Sequence, residues 1–197
     1  MPSPGPCRRS RGCILLKDAR VKEATISEAF NGTFADEREV IAICLDHLGI
    51  GERQVVGSLT HEGTDAVSDD EQTLSYICES ISPGFSEETL ADFLAKNRER
   101  HPIEPHLNPE DHLICLSDEE SQSMFGDADG WNRFYQAFPE SAGTVEFSRV
   151  GFSLDVTQAL VYAGQQVHWL ADSGNCWIFS KSGETWTKEG LLGSWIS

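Results

Sequence analysis

The side chains that could do chemistry are few, and none sits in a complete catalytic pattern. Cys176, in Ser173-Gly-Asn-Cys-Trp177, has the small and aromatic neighbours of a thiol nucleophile. That chemistry needs a thiolate at a helix N-terminus and a histidine to activate it. Here the flanking sequence is strand-like and no histidine follows. His101, His106 and His112, with Glu104, Glu110 and Asp111, offer metal-ligand types. Their spacing fits no zinc motif and prolines interrupt them, so the stretch reads as a solvated loop and no metal is assigned. Asp127-x-Asp129-Gly130 is a fragment of a calcium loop, with Phe125 and Gln136 where the first and last acids belong; it reads as a turn and helix cap. The Gly-x-Ser-x-Gly, Walker, dinucleotide-binding and His-Glu-x-x-His patterns do not occur, and no cofactor is predicted. Glycosidases and lyases, which need only two carboxylates, stay open, because thirty-two acids make any pairing arbitrary.

Arg149 is the most informative charge. It falls at an irregularity between two strand-like pairs, among apolar neighbours. A half-buried arginine needs either an acidic partner, for which Asp155 and Glu146 are the sequence candidates, or an anionic ligand. On the following strand Gln158 and Tyr162 share parity and can line one face. Trp195, with Trp131 and Trp169, reads as a core or rim aromatic; clustered and exposed, these would mark a partner site. The candidate ligand-binding residues are therefore Arg149, Gln158, Tyr162 and Trp195.

The elements that must position them read as helices followed by strands. Asp36-x-x-Glu39 has capping-box spacing, and Val40, Ile41, Cys44, Leu45 and Leu48 follow at helical intervals. Residues 54–60 suit a short strand. Asp69-x-x-Gln72 opens a second helical pattern to Ile81, and Ser86 caps a third with Leu90, Phe93 and Leu94 on its stripe. Lys96, Arg98 and Arg100 then suit the negative end of the helix dipole, a capping role rather than an anion site. Leu113–Leu116 reads as a buried strand, Ser117-x-x-Glu120 as a capping box, and Asp129 as the opening of a helix bearing Trp131, Phe134, Tyr135 and Phe138. From Thr144 the period becomes two. Val145 and Phe147 share one parity, Val150 and Phe152 the other, and a bulge at Ser148-Arg149 would return all four to one face. Strands at 157–164 and 175–180, a turn at 181–184 and final strand segments complete an α+β architecture. In it, N-terminal helices pack against a C-terminal antiparallel meander that can curve into a cone.

Composition bounds the rest. The chain has 197 residues, 39% of them hydrophobic, enough for one cored domain. Residues 1–22 are rich in Pro and Gly and carry six basic groups against one acid; they read as a disordered basic lead-in to a single domain at 23–197. The net charge of −17 excludes the basic face of a nucleic-acid binder; a small molecule or a protein is the expected partner. The acidic surface reads as solvated, with a cation site or basic partner as the sharper alternative. The four-residue run Cys13–Leu16 is shorter than an export signal needs, and no stretch is long enough for a membrane span. No Cys-x-x-Cys occurs, and Cys44, Cys78, Cys115 and Cys176 lie in apolar-periodic segments. Reduced, buried thiols fit the cytoplasm, with export the alternative if the start is mis-assigned.

Ser148-Arg-Val-Gly-Phe152, Thr157-Gln-Ala-Leu-Val-Tyr162 and the terminal Ser194-Trp-Ile-Ser197 resemble the C-terminal pattern of a family of uncharacterised, mostly bacterial proteins. Ser117–Glu120 and Gly130-Trp131 with Phe134-Tyr135 fit the same pattern, over roughly residues 36–197. The resemblance implies a domain and no activity. Two readings of function follow: a non-enzymatic binding or interaction domain, favoured by the missing motifs, or a small hydrolase-like or isomerase-like enzyme with a pocket between helices and sheet.

Overall fold

The computed structural model of the chain describes residues 33–48, 54–62, 84–103, 107 and 113–196. The basic lead-in, the helical pattern at 69–81, Cys78, His106 and His112 lie outside them. Among the described residues there are four helices and seven strands: α1 (Thr33–His47), β1 (Gln54–Gly57), α2 (Glu87–Lys96), β2 (Leu113–Leu116), α3 (Asp118–Phe125), α4 (Gly130–Ala137), β3 (Thr144–Phe147), β4 (Gly151–Phe152), β5 (Gln158–His168), β6 (Ala171–Ser182) and β7 (Thr185–Ile196). The fold is α+β and the sheet is open rather than closed. Its order is β2-β1-β3-β5-β6-β7, with β4 pairing β5 beside β3. The pairings among β3, β4, β5, β6 and β7 are antiparallel. β1 runs parallel to both of its neighbours, β2 and β3, so the meander is joined to a short parallel wing.

Local sequence accounts for the helices. Ser86 accepts from the Glu88 amide and caps α2. Ser117 and Glu120 close a full capping box on α3. Asp36 does not cap α1, which starts at Thr33; its carboxylate accepts instead from Lys181 Nζ at 2.6 Å and Trp186 Nε1 at 2.9 Å, tying α1 to the β6–β7 hairpin.

The alternation of β5 divides the core. Ala159, Val161 and Ala163 pack with Val40, Ile41, Cys44 and Leu45 of α1 on one face. Leu160 and Tyr162 pack with Leu90 and Phe93 of α2 on the other. Trp131 and Phe134 of α4 cover Val55 and Leu116 on that second face, since Val56 belongs to the first. Helices therefore lie on both sides of the sheet. Val145, Phe147, Val150 and Phe152 all join the α1 cluster, as the bulge reading requires. Cys44 and Cys176 are buried, while Cys115 is exposed, because the short strand β2 turns it outward.

The break between β3 and β4 is where both helical layers are fastened. Glu37, 1% exposed, receives Arg149 Nε at 2.6 Å, Arg149 Nη2 at 2.9 Å and the Val150 amide at 3.0 Å. From α2, Asn97 accepts from the Arg149 amide and donates to the Arg149 carbonyl, Lys96 Nζ donates to the Val150 carbonyl, and Asp92 accepts from the Phe152 amide. Gly151 is required there, since a Cβ would fall 2.5 Å from the Phe93 backbone. The arginine's partner is thus Glu37, not Asp155 or Glu146. No helix among the described residues is long and apolar enough to cross a membrane.

Arg149→Ala leaves the Glu37 carboxylate buried without its cation, which costs about 3–5 kcal/mol. At about 2–4 °C per kcal/mol for a domain of this size, thermal unfolding should shift down by roughly 6–20 °C. The double substitution Glu37→Leu/Arg149→Met should recover most of that loss; if it unfolds no later than Arg149→Ala alone, the ion pair is not the cause.

Candidate functional site

The four residues singled out by sequence fall into two places. The Arg149 side chain is held by Glu37 of α1, and Gln158 accepts from the Ser86 amide and donates to the Gly84 carbonyl ahead of α2, so both fasten helices to the sheet. Tyr162 and Trp195 do come together. Glu146, Gly164, Gly174 and Trp195 are successive cross-strand partners over β3, β5, β6 and β7. The Tyr162 hydroxyl reaches over the two glycines and donates to Glu146 Oε1 at 2.7 Å. A Cβ on Gly174 would lie 2.4 Å from Trp195 Nε1 and 2.5 Å from the Tyr162 hydroxyl, so only glycine admits this convergence. His61 stacks on the Tyr162 ring at 4.7 Å, with Nε2 at 3.7 Å from Glu146. Burial first, then the Glu146 and Asp172 carboxylates, push the Tyr162 hydroxyl far above its ordinary range. It stays protonated and serves as a donor, not as a base.

A second feature is a cleft of about 330 Å³ at the carboxyl end of β1, lined by Gly57, Ser58, Leu59, Arg100, Asp118, Ser121, Gln122 and Phe125. The parallel wing explains its position. The strand order β2-β1-β3 puts the chain's next strand on one side of β1 and the one after on the other, a reversal that leaves a crevice outside the strand ends. Ser58, Arg100 and Asp118 are placed by hydrogen bonds. Ser58 Oγ donates to Asp118 Oδ1 at 2.7 Å, and the Ile103 amide donates to the Ser58 carbonyl at 2.9 Å. Arg100 Nε donates to the Thr60 carbonyl at 3.0 Å, and the buried Thr60 Oγ1 accepts from the His101 amide. Asp118 sits in the first turn of α3 through the Ser117–Glu120 capping box. Phe125 closes one wall and continues into the rings of Trp131, Phe134 and Trp169.

Sequence reading missed this cleft. Lys96, Arg98 and Arg100 looked like one capping cluster. Lys96 does stand in the last turn of α2, where it also clamps the Val150 carbonyl and Asp92, and Arg100, beyond the end of α2, turns to Thr60 and the cleft. Asn97 caps the helix through the Phe93 carbonyl, and His101 Nε2 meets the Lys96 carbonyl at 2.9 Å. Asp127 accepts from the Asp129 amide and pairs with Arg133, the turn role expected of it, whereas Asp129 stands at the N-cap of α4 without a side-chain cap bond and accepts from Asn132 Nδ2 instead. Among the described residues no three His, Cys, Asp or Glu side chains gather as a metal site. Trp169, Leu170, Trp195 and Ile196 are exposed at one end of the sheet, where the β5–β6 turn meets the end of β7.

No protein-family model, no curated protein and no solved structure matches this chain.

The Tyr162 environment carries a pH prediction. The folded hydroxyl holds its proton above the unfolded value near 10, so the unfolded chain ionises first and stability falls as pH rises past about 10. Tyr162→Phe removes that share of the alkaline loss. Urea midpoints from pH 9 to 11 should decline less steeply in the variant, which at neutral pH is weaker by about 1 kcal/mol for the lost donor to Glu146. Parallel declines would place the alkaline sensitivity elsewhere.

Proposed function

We propose that the chain is a non-enzymatic binding domain that takes a small polar molecule in the cleft at the carboxyl end of β1. The observation that carries this reading is the cleft's position at the reversal of strand order, where open sheets of this kind leave room for ligands. Its Ser58, Asp118 and Arg100 side chains are also oriented by hydrogen bonds, which lowers the ordering cost of binding. The net charge of −17 favours a small molecule or a protein over nucleic acid as the partner. The buried thiols Cys44 and Cys176 support a cytoplasmic setting.

One observation favours the alternative, a hydrolase-like or isomerase-like enzyme. Glu146, Tyr162 and His61 lie in mutual contact on the α2 face of the sheet, and together they are types that can pass a proton. In that reading Glu146→Gln abolishes turnover while ligand binding in the β1 cleft persists.

The cleft reading is tested by filling it. Gly57 lines the cleft and a Cβ there meets nothing within 4 Å, so a side chain can be introduced without a clash at the backbone. Gly57→Trp should unfold within about 0.5 kcal/mol of the parent, as surface substitutions do. Native mass spectrometry of the full chain against a fragment library should show small-molecule adducts on the parent that are missing from Gly57→Trp. Adducts of equal occupancy on both proteins would remove the cleft from consideration.

A further inference from the structure

Resting on the cleft reading above, we propose that its ligand is a small zwitterion, with Arg100 holding the carboxylate and Asp118 the ammonium group. Arg100 and Asp118 are the two charged side chains lining the cleft, and their signs are opposite. They are not ion-paired with each other or with any other described residue, so the gap between them is left open rather than closed.

Each is oriented by one hydrogen bond that leaves further capacity. Arg100 uses Nε on the Thr60 carbonyl, which keeps both terminal nitrogens for a planar two-oxygen acceptor. Asp118 accepts from Ser58 through Oδ1, which keeps Oδ2 for a donor. The rest of the lining is neutral: the Ser121 hydroxyl, the Gln122 amide, the backbone around Gly57 and the Phe125 ring.

A ligand of a single charge is opposed in such a site. An anion that reaches Arg100 meets Asp118 and the long-range field of a chain of net charge −17; a cation that reaches Asp118 meets Arg100. A molecule carrying both charges satisfies both side chains and, being neutral overall, is not repelled on approach. The volume suits an amino carboxylate with an apolar substituent against Phe125.

The test is amide-shift titration of the full chain, read at Gly57, Ser58 and Gln122. The probes are L-phenylalanine, β-alanine and γ-aminobutyrate, with phenylalaninamide and N-acetylphenylalanine as single-charge controls and a neutral fragment library alongside. At least one zwitterion should bind tenfold or more tightly than both controls. Arg100→Gln should remove its advantage over phenylalaninamide, and Asp118→Asn its advantage over N-acetylphenylalanine, with unchanged circular dichroism in both variants. Controls that bind as well as every zwitterion overturn the ligand class but leave the cleft reading intact if their shifts map there. A protein whose three amides respond to no probe and no library member overturns the cleft reading as well.

Discussion

Two helical layers on opposite faces of the sheet converge on one short piece of chain. Residues 148–152 leave β3 and enter β4 without continuous pairing, and the Arg149, Val150 and Phe152 amides and the Arg149 and Val150 carbonyls take their partners from helical side chains. Glu37 comes from α1, and Asp92, Lys96 and Asn97 from α2. The Glu37 carboxylate is the element on which this arrangement turns. Buried as it is, it must have Arg149, and Arg149 must have it; together they fix how α1 lies across the sheet. Such a pair need not add net stability over a well-packed apolar substitute. What it does is penalise every other register of the helix, because each would leave a carboxylate in the core.

Much of this architecture is written locally. The caps at Ser86 and Ser117, the bulge at Ser148-Arg149 and the division of Ala159 and Val161 from Leu160 and Tyr162 all follow from spacing within a few residues. The partner of Arg149 was legible too, though less plainly. Glu37 stands at i, with Ile41, Cys44 and Leu45 at i+4, i+7 and i+8, so it lies on the apolar stripe of α1. It falls inside the Asp36-x-x-Glu39 spacing, where an acid is as readily explained by the start of a helix.

The parallel wing was not legible. β1 and β2 are four residues each, and nothing in such runs encodes whether the neighbour pairs parallel or antiparallel. Direction is set by the crossovers, which are long-range packing decisions. The cleft exists only because of that choice, so a reading that places every strand in an antiparallel meander has no crevice at the end of β1. Arg100 was hidden for the same reason. Three cations at and beyond the end of a helix satisfy a local rule, and only the bridge between Leu59 and Pro102, which brings the chain after α2 against the chain after β1, separates Arg100 from its neighbours.

The distribution of polar groups then separates framework from site. Arg149, Gln158, Asp92, Lys96 and Asn97 are engaged by backbone atoms or by one another, so a ligand reaching any of them would first have to break a bond that holds a helix in place. The Tyr162 hydroxyl spends its hydrogen bond on Glu146 and sits where only glycine fits beneath it. Arg100 and Asp118 are different. Each is held by a single hydrogen bond that fixes its position while leaving donors or acceptors over, and both stand beside open volume. Polar groups oriented by the fold but not saturated by it are what a recognition site requires, since binding then forms new bonds without dismantling old ones. By that criterion Arg149, Gln158 and Tyr162 belong to the scaffold, and the recognition proposed for the cleft rests on Arg100 and Asp118.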